Sequence, residues 1–332
     1  MIDAKTANEK LMTVSASPHV RSSETSVGIM RDVIIALVPA LIASVVIFGL
    51  RALLVTVVTV AACVLSEFVT RKIMKRSNTI GDLSAVVTGM LLAFNLPAGI
   101  PLWMAALGGA VAIVVVKQFF GGIGQNFVNP AIAGRIVLLL SFSTAMTTWP
   151  VPRTGFMNVM TDAVTGATPL AVAKEELPAL TDMLLGLRGG CLGETCAVAL
   201  ILGGLYLVIR KVISPAIPLT FIGTVAVIML IAGKGDITFV AYQLLSGGLL
   251  LGAIFMATDY ATSPISFKGK LIFGVGCGVL TCIIRLFASL PEGVSFAIIL
   301  MNILVPHIER LTTPKPFGTP KKEKKAKKEA KA

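Results

Sequence analysis

The octapeptide Thr161-Asp162-Ala163-Val164-Thr165-Gly166-Ala167-Thr168 lies in a polar stretch between two long apolar blocks. Chemistry there would run through a hydroxyl. An enzyme that joins a phosphate to threonine needs an exposed hydroxyl on backbone it can grip. Gly166 and Ala167 clear the space beside Thr168, and Pro169 fixes the chain directly after it. Asp162 and Thr165 are polar positions for such an enzyme to read. The same residues suit an ordinary turn or a helix start capped by Thr165 or Thr168. Spacing alone leaves both readings open.

Acidic residues in or beside apolar segments form a second group: Asp32, Glu67, Asp82, Glu194 and Asp259. An ionisable group at the bilayer centre costs about 2.5–3.5 kcal/mol on insertion scales, so such residues tend to mark ion paths. Asp82 and Asp259 stand out because each adjoins a glycine-containing segment; a snorkelling or capping carboxylate is the competing reading. Most of these acids fall at expected segment ends, where water lowers the cost. The loop Gly121–Asn129 offers backbone amides with Gln125, Asn126 and Asn129, and Thr258–Thr262 is its rough counterpart. Both suit a cavity lining, where irregular backbone is tolerated at membrane depth, or simply tight turns. Arg135 suits lipid headgroups or an anionic ligand. The five cysteines form no Cys-x-x-Cys pair, which argues against an iron–sulfur cluster held by this chain alone. His19 and His307 are too far apart in sequence to suggest zinc. Cys191 and Cys196 are expected near the outer surface, where they are candidates to pair.

Composition defines what must position these residues. Apolar residues make up 55% and charged residues 14%, against roughly 25% charged in soluble domains; mean hydropathy is +0.88. Since a span needs about 20 mostly apolar residues, the expectation is an all-α polytopic membrane protein. Ten spans are read, at roughly 33–50, 52–70, 80–97, 101–118, 130–148, 193–209, 213–232, 240–257, 271–288 and 293–309. The third and eighth are weakest, interrupted by Gly81, Gly89 and Pro97 and by Gly247, Gly248 and Gly252. Five spans on each side of the polar stretch suggest two inverted halves, with Asn129-Pro130 faintly echoed by Asn302 and Pro306. Basic residues cluster in the N-terminal segment, after spans two, six and eight, and in the C-terminal tail. Those segments are therefore expected in the cytoplasm. The organisation is a cytoplasmic segment 1–32, membrane half 33–148, extracytoplasmic loop 149–192, membrane half 193–309 and cytoplasmic tail 310–332. No secretory leader is expected ahead of the first apolar run. The net charge of +12 sits mostly in basic loops and the lysine-rich tail, read as a solvated arm near anionic lipid rather than a nucleic-acid site.

Further stretches link these groups: Ser17-Pro18-His19-Val20-Arg21, Gly81-Asp82-Leu83-Ser84-Ala85, Phe120–Pro130 and Phe255–Pro264. With Asp162–Thr168 they resemble the D subunit of Rnf complexes and, more distantly, the B subunit of the sodium-pumping NADH:quinone reductase, over about residues 17–310. The absence of a long extra N-terminal region favours the former. The resemblance implies a flavoprotein subunit of a translocase that couples electron flow between ferredoxin and NAD⁺ to Na⁺ or H⁺ movement, not catalytic alone. It implies FMN joined covalently to Thr168 by a flavin transferase, and a non-covalent riboflavin deeper in the membrane. Asn126 and Asn129 are the candidate riboflavin contacts, and Asp82 and Asp259 the ion-path candidates. Implied partners are other Rnf-type membrane subunits, among them another covalent-FMN subunit, iron–sulfur subunits and membrane lipid. A solute channel or permease is the rival reading and has no use for a flavin-attachment signal; a non-redox scaffold for partner subunits is a third, compatible with the first, and predicts no bound chromophore.

Overall fold

The computed structural model describes residues 24–150, 165–166, 178–288 and 293–314. The first helix, α1 (Ser26–Phe48), starts several residues before the expected span because Thr25 caps it: Thr25 Oγ1 accepts the Gly28 N–H at 3.1 Å. Gly49, at φ 75°, lets α1 turn directly into α2 (Leu50–Ile73). A 3₁₀ turn, Ile80–Asp82, leads into α3 (Ser84–Phe94), and the chain then leaves helical geometry until α4 (Leu102–Gln118). The last seven residues of α4, Ala112–Gln118, wind as a π-helix. Next come α5 (Pro130–Ser141) and the short α6 (Ser143–Thr147). Strand β1 (Trp149–Pro150) pairs antiparallel with β2 (Thr165–Gly166), Trp149 opposite Gly166 and Pro150 opposite Thr165.

The second group begins with the short α7 (Leu180–Leu185), followed by α8 (Ala197–Ile209) and α9 (Ala216–Ala232). Then α10 (Ile237–Leu245) and α11 (Leu249–Met256) meet at a 66° bend. Residues Gly252–Met256 of α11 are again π-helical. The described helices close with α12 (Phe267–Phe287) and α13 (Val294–Thr312).

Four helices, α1, α2, α12 and α13, are individually long and apolar enough to cross a membrane, and the bent α10–α11 pair makes a fifth. Helices α3, α4, α5, α8 and α9 are apolar but only 10–17 residues long. The chain is thus a mostly helical, multi-pass membrane protein. The expected ten segments each contain helix, but not ten helices of full spanning length. The shortfall has a physical origin. Free carbonyls at the end of α3 are taken up by other backbone: Gly193 N–H donates to Phe94 O at 2.9 Å and Leu192 N–H to Leu96 O at 3.0 Å. With those groups satisfied, irregular chain is stable in the interior.

Packing repeats between the two groups. Helix α2 lies against α3 and α4, as α9 lies against α10 and α12; α4 contacts α5, as α12 contacts α13; α1 against α8 joins the groups. The α9–α12 contact depends on small residues. A Cβ at Gly278 would come within 2.6 Å of Thr224 Cβ, and one at Gly274 would collide with Thr220. A continuous apolar core includes the fully buried Leu37, Phe48, Phe94, Phe221 and Phe273, while Ile42, Val46, Leu205 and Ile231 face outward. Apolar residues on both inside and outside are what a bilayer solvent allows.

Candidate functional site

A cavity of about 330 Å³ opens where the loops after α4 and α11 meet α1, α3, α5 and α8. That volume lies in the ~300–1,000 Å³ range of small-molecule sites. Its walls are mostly apolar, with Val33, Val87, Leu91 and Phe255, and polar groups converge on it from Ser84, Thr88, Lys117, Asn126, Thr258 and Asp259. Both π-helical segments border it, through Lys117 and Phe255. A π turn displaces side chains from the regular helical register and recurs at functional sites.

The loop after α4 reaches the cavity because Gly121, Gly122 and Gly124 sit at positive φ, at 127°, 109° and 80°. Asn129 closes it. Its Oδ1 accepts the N–H groups of Ala131 and Ile132 (3.0 and 3.4 Å), capping α5, and its Nδ2 donates to Met256 O at 3.2 Å. Asn302 bridges the same two loops, accepting from Asn129 N–H at 3.2 Å and donating to Thr262 O at 3.0 Å. Asn126 Nδ2 donates to Val128 O at 3.1 Å and also lies against the Asp259 carboxylate. Asp259 Oδ2 accepts from Thr262 Oγ1 at 3.1 Å. Burial pushes the Asp259 carboxyl up from its ordinary value of 3.8, partly opposed by hydrogen bonds from Thr262, Ala261, Asn126 and Tyr260. The structure thus brings Asn126, Asn129 and Asp259 to one cavity. It gives the Asn129 side chain both the expected turn-forming role and a place in the wall.

Beside the cavity lies a buried ion pair. Lys117 Nζ is 3.0 Å from Glu67 Oε2, with side chains 3% and 1% exposed. Glu67 Oε1 also accepts from Thr79 Oγ1 (2.8 Å) and Gln118 Nε2 (2.9 Å). Lys117 donates to Ser84 Oγ at 2.5 Å, and Ser84 Oγ donates in turn to Asp82 Oδ1. Asp82 Oδ1 accepts the Ser84 N–H at 2.8 Å as well, so Asp82 holds the first residue of α3 while ending a chain of hydrogen bonds that begins at the cavity. Asp32 is committed elsewhere, to Arg210 Nη2 at 3.1 Å and Tyr206 Oη at 3.2 Å.

A second polar cluster gathers at the other end of α3. Arg135 donates to Asn95 Oδ1 and Ser295 Oγ, both at 2.9 Å. Arg188 donates to Leu245 O (2.6 Å) and Glu194 O (3.2 Å), and Arg285 to Gln243 O (2.6 Å) and Ser246 O (3.0 Å). The Arg188 and Arg285 guanidiniums satisfy carbonyls released where α10 breaks, with cations at a helix C-terminus. Arg135 is therefore covered by protein, at 3% exposure, and held by Asn95 and Ser295. One expectation is corrected here, and one open question is answered. Glu67, Glu194 and Asp32 are buried rather than at wet ends. Cys191 is fully buried and Cys196 is free, so the two do not pair; Cys191 Sγ donates to Asn95 O at 3.2 Å.

Sequence reading did not single out Lys117, Ser84, Arg188 or Arg285 as site residues. The available signal was charge next to apolar runs, as in Ile113–Val116 before Lys117 and Cys282–Leu286 around Arg285. Asp162, Ala167 and Thr168 lie outside the described residues. Thr165 and Gly166 are seen as strand β2 against Trp149–Pro150.

The chain matches the family model described as the NQR2, RnfD, RnfE family over residues 13–318. It is 46% identical over 327 residues to the D subunit of the Na(+)-translocating ferredoxin:NAD(+) oxidoreductase complex of Acetobacterium woodii, covering 96% of this chain and 99% of that one. It is 41% identical over 326 residues to the D subunit of the proton-translocating ferredoxin:NAD(+) oxidoreductase complex of Clostridium ljungdahlii, covering 94% and 97%. Identity to the D subunit of the ion-translocating oxidoreductase complex of Stutzerimonas stutzeri is 38% over 323 residues, covering 87% and 91%. With matches that run the length of the chain and include both cavity loops, the protein belongs to the NQR2, RnfD, RnfE family.

Proposed function

We propose that this chain is the membrane flavoprotein D subunit of an Rnf-type complex, in which electron flow between ferredoxin and NAD⁺ drives Na⁺ or H⁺ across the membrane. The names of its relatives support membership of such a complex, and hence other subunits of it as partners; iron–sulfur subunits and a second covalent-FMN subunit are proposed among them. The observation that carries the flavin reading is the cavity. Apolar walls with amide, hydroxyl, carboxylate and ammonium groups at the edges suit a flat ring system with polar rims. Riboflavin is the proposed occupant, and when bound it would supply one- and two-electron transfer. Asn126, Ser84 and Thr88 offer hydrogen bonds, Lys117 places a positive charge on the wall, and Val33, Val87, Leu91 and Phe255 keep water out. Asp259 on the wall, and Asp82 linked to the wall through Ser84 and Lys117, are the proposed ion-path acids.

Covalent FMN is proposed at Thr168, installed by a flavin transferase. Support comes from the run Asp162–Thr168 and from the pairing of Thr165–Gly166 with Trp149–Pro150, which ties the motif to the end of the α5–α6 arm. The charge asymmetry of the loops supports cytoplasmic termini and an extracytoplasmic motif. The duplicated packing, α2 with α4 as α9 with α12, supports ten crossings in two inverted halves. Electrons would then pass between FMN on the outer face and a second flavin near the inner one. The test is a denaturing gel viewed under ultraviolet light, with protein matured alongside its transferase. Thr168→Ala should abolish the fluorescent band without preventing insertion, and Thr165→Ala should weaken it. A band that survives Thr168→Ala overturns the attachment site.

A further inference from the structure

We infer that the pocket between the α8–α9 turn and the start of α12 binds the phosphate of an anionic phospholipid. This pocket of about 420 Å³ is separate from the cofactor cavity but shares the wall formed by Thr258 and Tyr260. Two ammonium groups line it, Lys211 from the turn and Lys270 from the first turn of α12, together with the hydroxyls of Ser214 and Ser263. Among the described residues neither lysine is paired with a carboxylate, whereas the adjacent Arg210 is tied to Asp32. The pocket therefore presents two ammonium groups that no salt bridge among the described residues holds, with Glu24 the nearby acid that acts on Tyr260 and Arg210. The N-terminal turns of α9 and α12 both border it, through Ile217 and Lys270, and helix N-termini add partial positive charge and favour phosphate.

The apolar side of the pocket identifies the source of the phosphate. Its floor includes Ile213 and Ile217. It lies between helix faces whose large apolar residues point outward, Ile209 at 69% and Leu219 at 68% exposure. A soluble anion would leave those surfaces unused. A phospholipid places its phosphate between the lysines and lays its acyl chains along α8 and α9. Each lysine near a membrane surface adds to the attraction for anionic lipid. Tyr260 gives the pocket a firm wall, since its hydroxyl donates to Val212 O. Lipid binding here is independent of what fills the neighbouring cavity.

Native mass spectrometry of the intact purified complex tests this, with phosphatidylglycerol and phosphatidylcholine offered in equal amounts. The native complex should retain one more phosphatidylglycerol than the Lys211→Gln/Lys270→Gln variant, with phosphatidylcholine unchanged. Lys211→Arg/Lys270→Arg should restore the retained lipid. Ser263→Asp, which leaves both lysines but adds a carboxylate, should lose it again. Equal phosphatidylglycerol retention in all variants would overturn the inference. So would equal retention of phosphatidylcholine at the site, which would mean an apolar groove alone. Displacement of the lipid by millimolar inorganic phosphate would also overturn it, reassigning the pocket to a soluble anion.

Discussion

Replacing Lys117 with methionine tests the physics of the cavity wall most directly. At 3.0 Å and an effective dielectric of about 20, the Lys117–Glu67 pair has a gross attraction of about 5–6 kcal/mol. Desolvation of two side chains that are 3% and 1% exposed offsets much of this. Removing one partner is different, because it leaves a buried carboxylate. Such breaks cost about 3–5 kcal/mol. Thr79 and Gln118 still hydrogen-bond Glu67 Oε1, so Lys117→Met should fall at the lower end, about 3 kcal/mol. The double variant Glu67→Gln/Lys117→Met should lose less than the sum of the single changes, with a coupling of about 2–3 kcal/mol. Detergent-titrated unfolding of the purified chain in mixed micelles, run as a four-point cycle, measures the coupling. If Lys117→Met stays within about 1 kcal/mol of the native protein and the two changes simply add, the pair is not desolvated as the geometry requires.

Asn126→Leu removes an amide from the cavity wall without touching the α5 cap, so extractable flavin should fall severalfold while covalent flavin persists; extraction followed by chromatography reads both. Asp259 should hold its proton above pH 3.8 in the folded chain. Between its unfolded and folded values the folded state binds more protons, so this group's contribution to stability declines as pH rises through that window. Asp259→Asn should flatten that part of the stability–pH curve, and an unchanged slope would refute the burial argument. In intact cells with native thiols replaced, an impermeant thiol reagent should label a cysteine introduced at position 158 and spare one at position 320; the reverse pattern inverts the proposed topology.

Much of this protein was legible as a one-dimensional pattern. Apolar runs announced the helices because each lipid-facing segment must satisfy its own backbone, a local requirement. Gly121–Asn129 and Thr258–Thr262 read as paired loops, since glycine and asparagine encode local backbone freedom and capping. Tertiary structure decided the rest. That Lys117 is a cavity wall residue depends on Glu67, fifty residues earlier on α2. That α3 stops at Phe94 depends on N–H groups from Leu192 and Gly193, nearly a hundred residues later. Arg285 sits in an apolar helix because α10 breaks at Leu245 and exposes carbonyls that need a donor. Charge is cheap to bury only where a distant partner meets it. The partner's position is a property of the packed bundle and not of the residue's neighbours in the chain.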